Sequence, residues 1–257
     1  MNPDSAMTLE KKVVLITGGG RGIGAATARL AHQKGWSVCI NYRNKNTAAE
    51  KLVDEINESG GIAVSVQADV STEEGVISLF DAVDDEFGRI HALINNAGVI
   101  APQSQLVDIS AERLHKIFDT NVVGSFLCAR EAVKRMSMNR GGCGGSIINV
   151  SSAASRIGSP NEFIDYAASK GAIDTMTIGL SKEVAEEGIR VNAVRPGLIE
   201  TEMHFDAGDI NRPQKLKEFI PLKRSGSASE VANAIVWLMS DEASYVTGAL
   251  VDVAGGR

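Results

Sequence analysis

The sequence predicts one α/β domain, a doubly wound, seven-stranded parallel sheet with helices on both faces. Short, almost continuous apolar runs alternate with longer amphipathic stretches along the chain, and strands covered on both faces read as such runs. The rhythm is unbroken by linker composition or by a repeat at a solenoid period, and 257 residues with 44% hydrophobic content suffice for one large core.

The elements follow in order. Val13-Val14-Leu15-Ile16 is the first strand, ending at Thr17 and a run of glycines. Ile23 to Gln33 has helical periodicity, with Gly35 as the stop. Val38-Cys39-Ile40 is the second strand, Thr47 to Glu58 an amphipathic helix closed by Gly60-Gly61, and Ile62 to Gln67 the third strand. Thr72 to Phe87 is a helix closed by Gly88, and Ala92-Leu93-Ile94-Asn95 the fourth strand. A long helical pattern spans Ala111 to Met138. Ser146 to Val150, Arg190 to Val194 and Leu250 to Val253 are strands; Tyr166 to Glu187 and Ser229 to Met239 are helices. Two segments break the rhythm: a glycine-rich loop from Arg140 to Gly145, expected to be mobile, and an irregular stretch at about 200–222 carrying Pro213 and Pro221, expected as a lid over a substrate. The domain is expected over 12–257, with 1–11 an N-terminal extension and Met7 a second candidate start.

Net charge is −6 with no long basic run, which argues against nucleic acid. Cys39, Cys128 and Cys143 have neither CxxC spacing nor an even count, so no disulfide framework or metal site is expected, and a reducing cytoplasm is the default. The first ten residues lack a signal-like apolar stretch, and no run is long enough for a membrane span.

The first strand opens into Thr17-Gly18-Gly19-Gly20-Arg21-Gly22-Ile23-Gly24. Glycines let a backbone turn sharply and let a pyrophosphate approach, while the following helix offers N-terminal amides and the positive end of its dipole. A tight structural turn is the plain alternative; position after an apolar strand and before a helix favours a dinucleotide cradle in a Rossmann fold. Its spacing, Gly18-x3-Gly22-x-Gly24, departs from GxGxxG. NAD enzymes place an acid at the end of the second strand, for the ribose 2′-OH. Here that stretch reads Asn41-Tyr42-Arg43-Asn44-Lys45, and no acid stands between Gly24 and Glu50. Arg43 and Arg21 would instead suit a 2′-phosphate, so NADP(H) is preferred over NAD(H). Two solvated surface arginines would read the same.

Tyr166 and Lys170, four apart at a helix start, share one face. A neighbouring ammonium favours a phenolate and lowers the phenol pKa, fitting a tyrosine for proton transfer during hydride transfer. Taken alone, such a pair is more often a surface pair. Ser151 and Ser152 close the fifth strand; a hydroxyl there would hydrogen-bond a carbonyl oxygen, or cap a turn. A serine hydrolase is disfavoured because no G-x-S-x-G elbow is present.

From about Lys12 to Gly255 the sequence resembles the classical short-chain dehydrogenases/reductases. Thr17-Gly18-x3-Gly22-Ile23-Gly24 is similar to the family's cofactor loop, Asp69-Val70 to its adenine-contacting pair, and Asn95-Asn96-Ala97-Gly98 to the motif after the fourth strand. Asn121, Ser152, Tyr166 and Lys170 match its catalytic tetrad, and Pro196-Gly197 with Thr201 the stretch beside the nicotinamide. The resemblance implies Tyr166 as general acid in reduction and base in oxidation. It implies Lys170 on the nicotinamide ribose, depressing the Tyr166 pKa, Ser152 on the substrate carbonyl, and Asn121 holding a relay water. The choice of Ser152 over Ser151 rests on the same resemblance, although the Ser-to-Tyr spacing of fourteen is one longer than common. It also implies a homotetramer built through the two long helices and the last strand.

Ile100, Pro102, Ile157, Pro160, Phe163, Ile164, Met203, His204 and Phe205 are the expected pocket residues, mostly apolar and with no charge clamp among them. A small ketone, a sugar or a 3-oxoacyl thioester fits such a pocket, and the motifs resemble both glucose-dehydrogenase-like and 3-oxoacyl-carrier-protein-reductase-like branches. Arg113, Lys116 and Arg130 are weak candidates for a carrier-protein surface. The alternative class is a non-catalytic NADP(H)-binding sensor or scaffold on the same fold, which an intact tetrad disfavours.

Overall fold

In chain order the elements are β1 (Val13–Ile16), α1 (Gly22–Gln33), β2 (Ser37–Tyr42), α2 (Asn46–Glu58), β3 (Ala63–Gln67), α3 (Glu73–Phe87), β4 (Ala92–Asn95), α4 (Ala111–Phe118), α5 (Gly124–Met136), β5 (Gly145–Val150), α6 (Ala154–Ile157), α7 (Ile164–Glu183), β6 (Ile189–Pro196), β7 (Ile199–Glu200), α8 (Met203–Asp206), α9 (Arg212–Leu216), β8 (Gly226–Ser227), α10 (Ala228–Met239) and β9 (Leu250–Val253). They come from a computed structural model that describes residues 11–44, 46–209 and 211–257; the expected extension lies outside these except for Lys11.

Seven strands form one parallel sheet in the order β3-β2-β1-β4-β5-β6-β9. Successive strand residues point to opposite faces, so an apolar run feeds two cores at once. Val14, Ile16, Ile40 and Ile148 meet Ala28 of α1, Leu52 of α2 and Ile235 of α10 in one. Val13, Leu15, Leu93 and Ile147 meet Phe80 of α3, Cys128 of α5 and Ile173 of α7 in the other. Both faces are therefore covered, as the sequence predicts. No helix among the described residues is long and apolar enough to cross a membrane.

Local chemistry sets the helix ends. The Thr72 hydroxyl accepts from the Gly75 amide to start α3, and Gly88 closes it in a left-handed conformation. Ser227 and Glu230 form a reciprocal capping box on α10.

Three sequence expectations change. The helix expected from Ala111 to Met138 is interrupted by a π turn at Asp119–Val123 and ends at Met136. The helix expected to reach Glu187 stops at Glu183 and finishes in a 3-10 turn. The glycine-rich loop, expected to be mobile, is tied down: Gly142 donates to the Ser137 carbonyl, Gly144 to that of Met136 and Gly145 to that of Gly188. The 200–222 segment contains two short helices, α8 and α9.

Candidate active site

β1 sends its crossover to one side of the sheet and β4 lies on the other, so the strand order reverses between them. In open α/β sheets ligands bind at the carboxyl ends of strands at such a point. Two adjoining hollows of about 140 and 300 Å³ lie there, sharing Ile23, Asn96, Gly98, Thr201 and Met203.

The larger hollow follows the glycine loop. Thr17 anchors that loop to the end of β4, its hydroxyl accepting from the Asn96 and Ala97 amides at 3.0 Å each. Gly18, Arg21, Gly22 and Ile23 line the hollow. Gly22 has φ +54, a left-handed conformation that disfavours a side chain. Gly24 does not line it: a Cβ there would lie 2.8 Å from the Gly19 Cα and 2.9 Å from the Gly18 oxygen. Its part is close packing of helix on turn. α3, α4 and α10 begin on capping hydroxyls, whereas Arg21 at the start of α1 makes no side-chain cap. The first amides of α1 are thus left for an anion in the hollow. A dinucleotide's pyrophosphate fits this cradle.

Arg43, Asp69, Val70 and Ala97 line the same hollow. Arg43 Nε lies 2.9 Å from Asp69 Oδ2, and Asp69 Oδ1 accepts from the amide and hydroxyl of Ser71. Arg21 has a different partner, donating to Asp206 of α8 at 2.5 Å. The arginines the sequence paired are thus held separately, Arg43 by Asp69 after the third strand and Arg21 by Asp206 of α8.

The smaller hollow brings Ser152, Tyr166 and Lys170 together, with Pro196 and Gly197 on its wall. Lys170 is 4% exposed; its Nζ donates to the Val150 carbonyl at 2.7 Å and sits 5.6 Å from the Tyr166 ring centre. Burial pushes the Tyr166 phenol up to about 12, against a lowering hydrogen bond with Ser152. Burial also brings Lys170 down to about 8, against a raising influence from Asp174. At the Tyr166 phenol, burial outweighs the Ser152 hydrogen bond.

The neighbouring serines differ. Ser151 is 2% exposed and its hydroxyl donates to Asp174 Oδ1 at 2.7 Å. Ser152 accepts from the Ala154 amide and reaches the phenol. Asn121, in the π turn, lines neither hollow. Its Oδ1 accepts from the Val99 amide at 2.7 Å, and its Nδ2 donates to the Val99 carbonyl and the Ser169 hydroxyl. A Cβ on Gly98 would lie 3.5 Å from Asn121 Oδ1 and 3.6 Å from Lys170 Nζ, so the three are close-set.

Asp165 and Arg113 form a pair the sequence did not reveal as such. Asp165 Oδ1 accepts from the Tyr166 amide, and Arg113 Nε donates to Oδ2 at 2.6 Å, with the carboxylate fully buried. An acid in the first turn of α7 was its only local signal. Arg113→Ala is expected to destabilise the fold by about 3 kcal/mol, because it strands a buried carboxylate; urea unfolding would measure this, and an unchanged midpoint would refute it. Arg113 and Arg130 are thus committed to ion pairs, Arg130 with Glu73 and Glu131, which weakens both as a carrier-protein surface.

Of the expected pocket residues, Ile100, Ile157, Phe163 and Met203 line the smaller hollow, while Pro102, Pro160, Ile164 and Phe205 do not. The His204 side chain lies outside the described residues. Arg212 and Arg257, which are not among those expected residues, also line that hollow.

Residues 18–257 match the family model described as enoyl-(acyl carrier protein) reductase. The chain is 54% identical over 245 residues to the uncharacterized oxidoreductase YgfF of Escherichia coli, covering 95% of this chain and 99% of that one. It is 39% identical over 248 residues to glucose 1-dehydrogenase 2 of Bacillus subtilis, covering 96% and 95%. A solved double mutant of a Serratia marcescens short-chain dehydrogenase/reductase superposes with a TM-score of 0.88 at 29% identity, covering 96% and 98%.

Proposed function

We propose a specific reaction for this chain, which belongs to the short-chain dehydrogenase/reductase family of nicotinamide-dependent oxidoreductases: hydride transfer between NADP(H) and a small carbonyl or alcohol, with Tyr166 as general acid and base. The observation that carries it is the meeting of Ser152, Tyr166 and Lys170 in a hollow that opens into the glycine-lined one.

When bound, the nicotinamide supplies or takes the hydride. The Gly18–Gly22 turn and the α1 amides would hold the pyrophosphate, Asp69 and Val70 would flank the adenine, and Arg43, with Arg21 second to it, would meet a 2′-phosphate. Asn96, Ala97, Gly98, Pro196, Gly197 and Thr201 would wall the nicotinamide end. Tyr166 Oη gives its proton to the carbonyl oxygen in reduction, and Ser152 holds that oxygen. Lys170 binds the ribose and supplies the positive charge that a phenolate needs in oxidation. A relay water at Asn121 would share Oδ1 with the Val99 amide.

Turnover of NADPH and NADH against ketones, aldoses and 3-oxoacyl thioesters tests the reading. Preference for NADH would overturn the cofactor assignment, and binding without turnover would mark a sensor. Ser152→Ala is expected to lower kcat by about 10²-fold or more, the loss typical of removing one donor to a developing oxyanion. Ser151→Ala is expected to act mainly through stability; a reversed ranking in kcat would refute the assignment.

The family resemblance further supports a homotetramer, and the cysteine usage a cytoplasmic location. Exposed Val123, Phe126 and Ile178 give the π turn, α5 and α7 apolar surface for such contacts, and sedimentation equilibrium would measure the state.

A further inference from the structure

The smaller hollow holds more positive charge than proton transfer to a neutral ketone requires. Arg212 is 9% exposed; its Nη1 and Nη2 donate to Glu162 at 2.7 and 2.5 Å, and its guanidinium lies 5.1 Å from the Phe163 ring centre. Phe163 packs with Tyr166 and Ala207, so one ring connects the guanidinium to the catalytic phenol. Arg257 lines the same hollow, its main-chain oxygen held by Arg156 at 2.9 Å. No carboxylate side chain lines this hollow, and none pairs with Arg257 among the described residues.

Glu162 pairs with Arg212 and also acts on Arg257, whose guanidinium makes no side-chain ion pair of its own among the described residues. Burial and the charge of Arg212 together press Arg257 below the usual arginine range, with only Glu162 opposing them. A guanidinium in such a place gains most from an anion, and its planar fork matches a carboxylate. A volume of about 140 Å³ is enough for a short molecule of about benzene size.

We propose that the substrate is a short oxo acid, its carboxylate held by Arg257 beside Arg212 while its carbonyl oxygen lies at Ser152 and Tyr166. This rests on the dehydrogenase reading above. In reduction the carbonyl carbon takes the hydride, the oxygen takes the Tyr166 proton, the nicotinamide is oxidised, and a hydroxy acid leaves with its carboxylate unchanged.

Calorimetric binding of pyruvate, acetoacetate and levulinate to the enzyme with NADP⁺, each against its methyl ester, tests the clamp. At least one acid is expected to bind about tenfold or more tightly than its ester. Arg257→Gln is expected to bring that ratio close to one. Arg212→Gln should lower it too but also frees Glu162, so Arg257→Gln, which leaves the Glu162 pair intact, decides. Acid-to-ester ratios near one in the parent protein, or a parent-like ratio in Arg257→Gln, overturn the proposal. Tighter binding of dihydroxyacetone phosphate than of any acid overturns the carboxylate assignment. Assaying the same compounds with NADPH separates the two readings. Acid-selective binding without turnover of any carbonyl sinks the dehydrogenase and keeps the clamp, whereas turnover of carbonyls without acid selectivity does the reverse.

Discussion

Tyr166→Phe is expected to lower kcat by about 10²–10⁴-fold, the usual contribution of a positioned general acid or base. The change removes one oxygen from a buried ring and keeps the packing against Phe163 and Ala207, so the loss belongs to the chemical step and not to the fold. With the phenol pushed up to about 12, the acid form needed for reduction is present throughout the neutral range. Oxidation needs the phenolate, so its rate should rise with pH. Lys170, brought down to about 8, loses its charge above that value in the protein alone, and its support for the phenolate fades there. Pre-steady-state NADPH oxidation and a pH profile in both directions would measure these effects. A Phe variant with parent-like kcat, or one that keeps the parent's alkaline rise in oxidation, would remove Tyr166 from the proton path.

Arg43→Asp is expected to reverse the cofactor preference. Loss of a charge-assisted contact with the 2′-phosphate weakens NADPH by about 1.5–3 kcal/mol, or roughly 10–150-fold. The new carboxylate would repel the phosphate and accept from the two ribose hydroxyls of NADH. It would also face Asp69, which now pairs with Arg43 Nε at 2.9 Å, so some loss with both cofactors is expected. The ratio of kcat/KM for NADPH to that for NADH is the readout. A ratio that stays at the parent value would show that Arg43 is a partner of Asp69 only.

The sequence by itself determined the α/β class, the seven-strand parallel sheet and the positions of the glycine turn and the Ser-Tyr-Lys set. These rest on local signals: apolar runs buried on both faces, as in β1 and β4, a Thr72 cap, a Gly88 stop, and residue types at fixed spacing. Tertiary structure decided the rest, because those properties depend on residues far apart in the chain. A period of 3.6 does not reveal the extra residue that makes the π turn at Asn121. Ser151 and Ser152 follow β5 side by side, but only α7, with Asp174 and Tyr166 on it, decides which hydroxyl reaches the phenol. Spacing places Lys170 beside Tyr166, yet burial by the whole fold sets their pKa directions. Arg212 and Arg257 stand 45 positions apart, in segments with no shared pattern. They become neighbours across one hollow only when α9 and the residues after β9 close over the sheet.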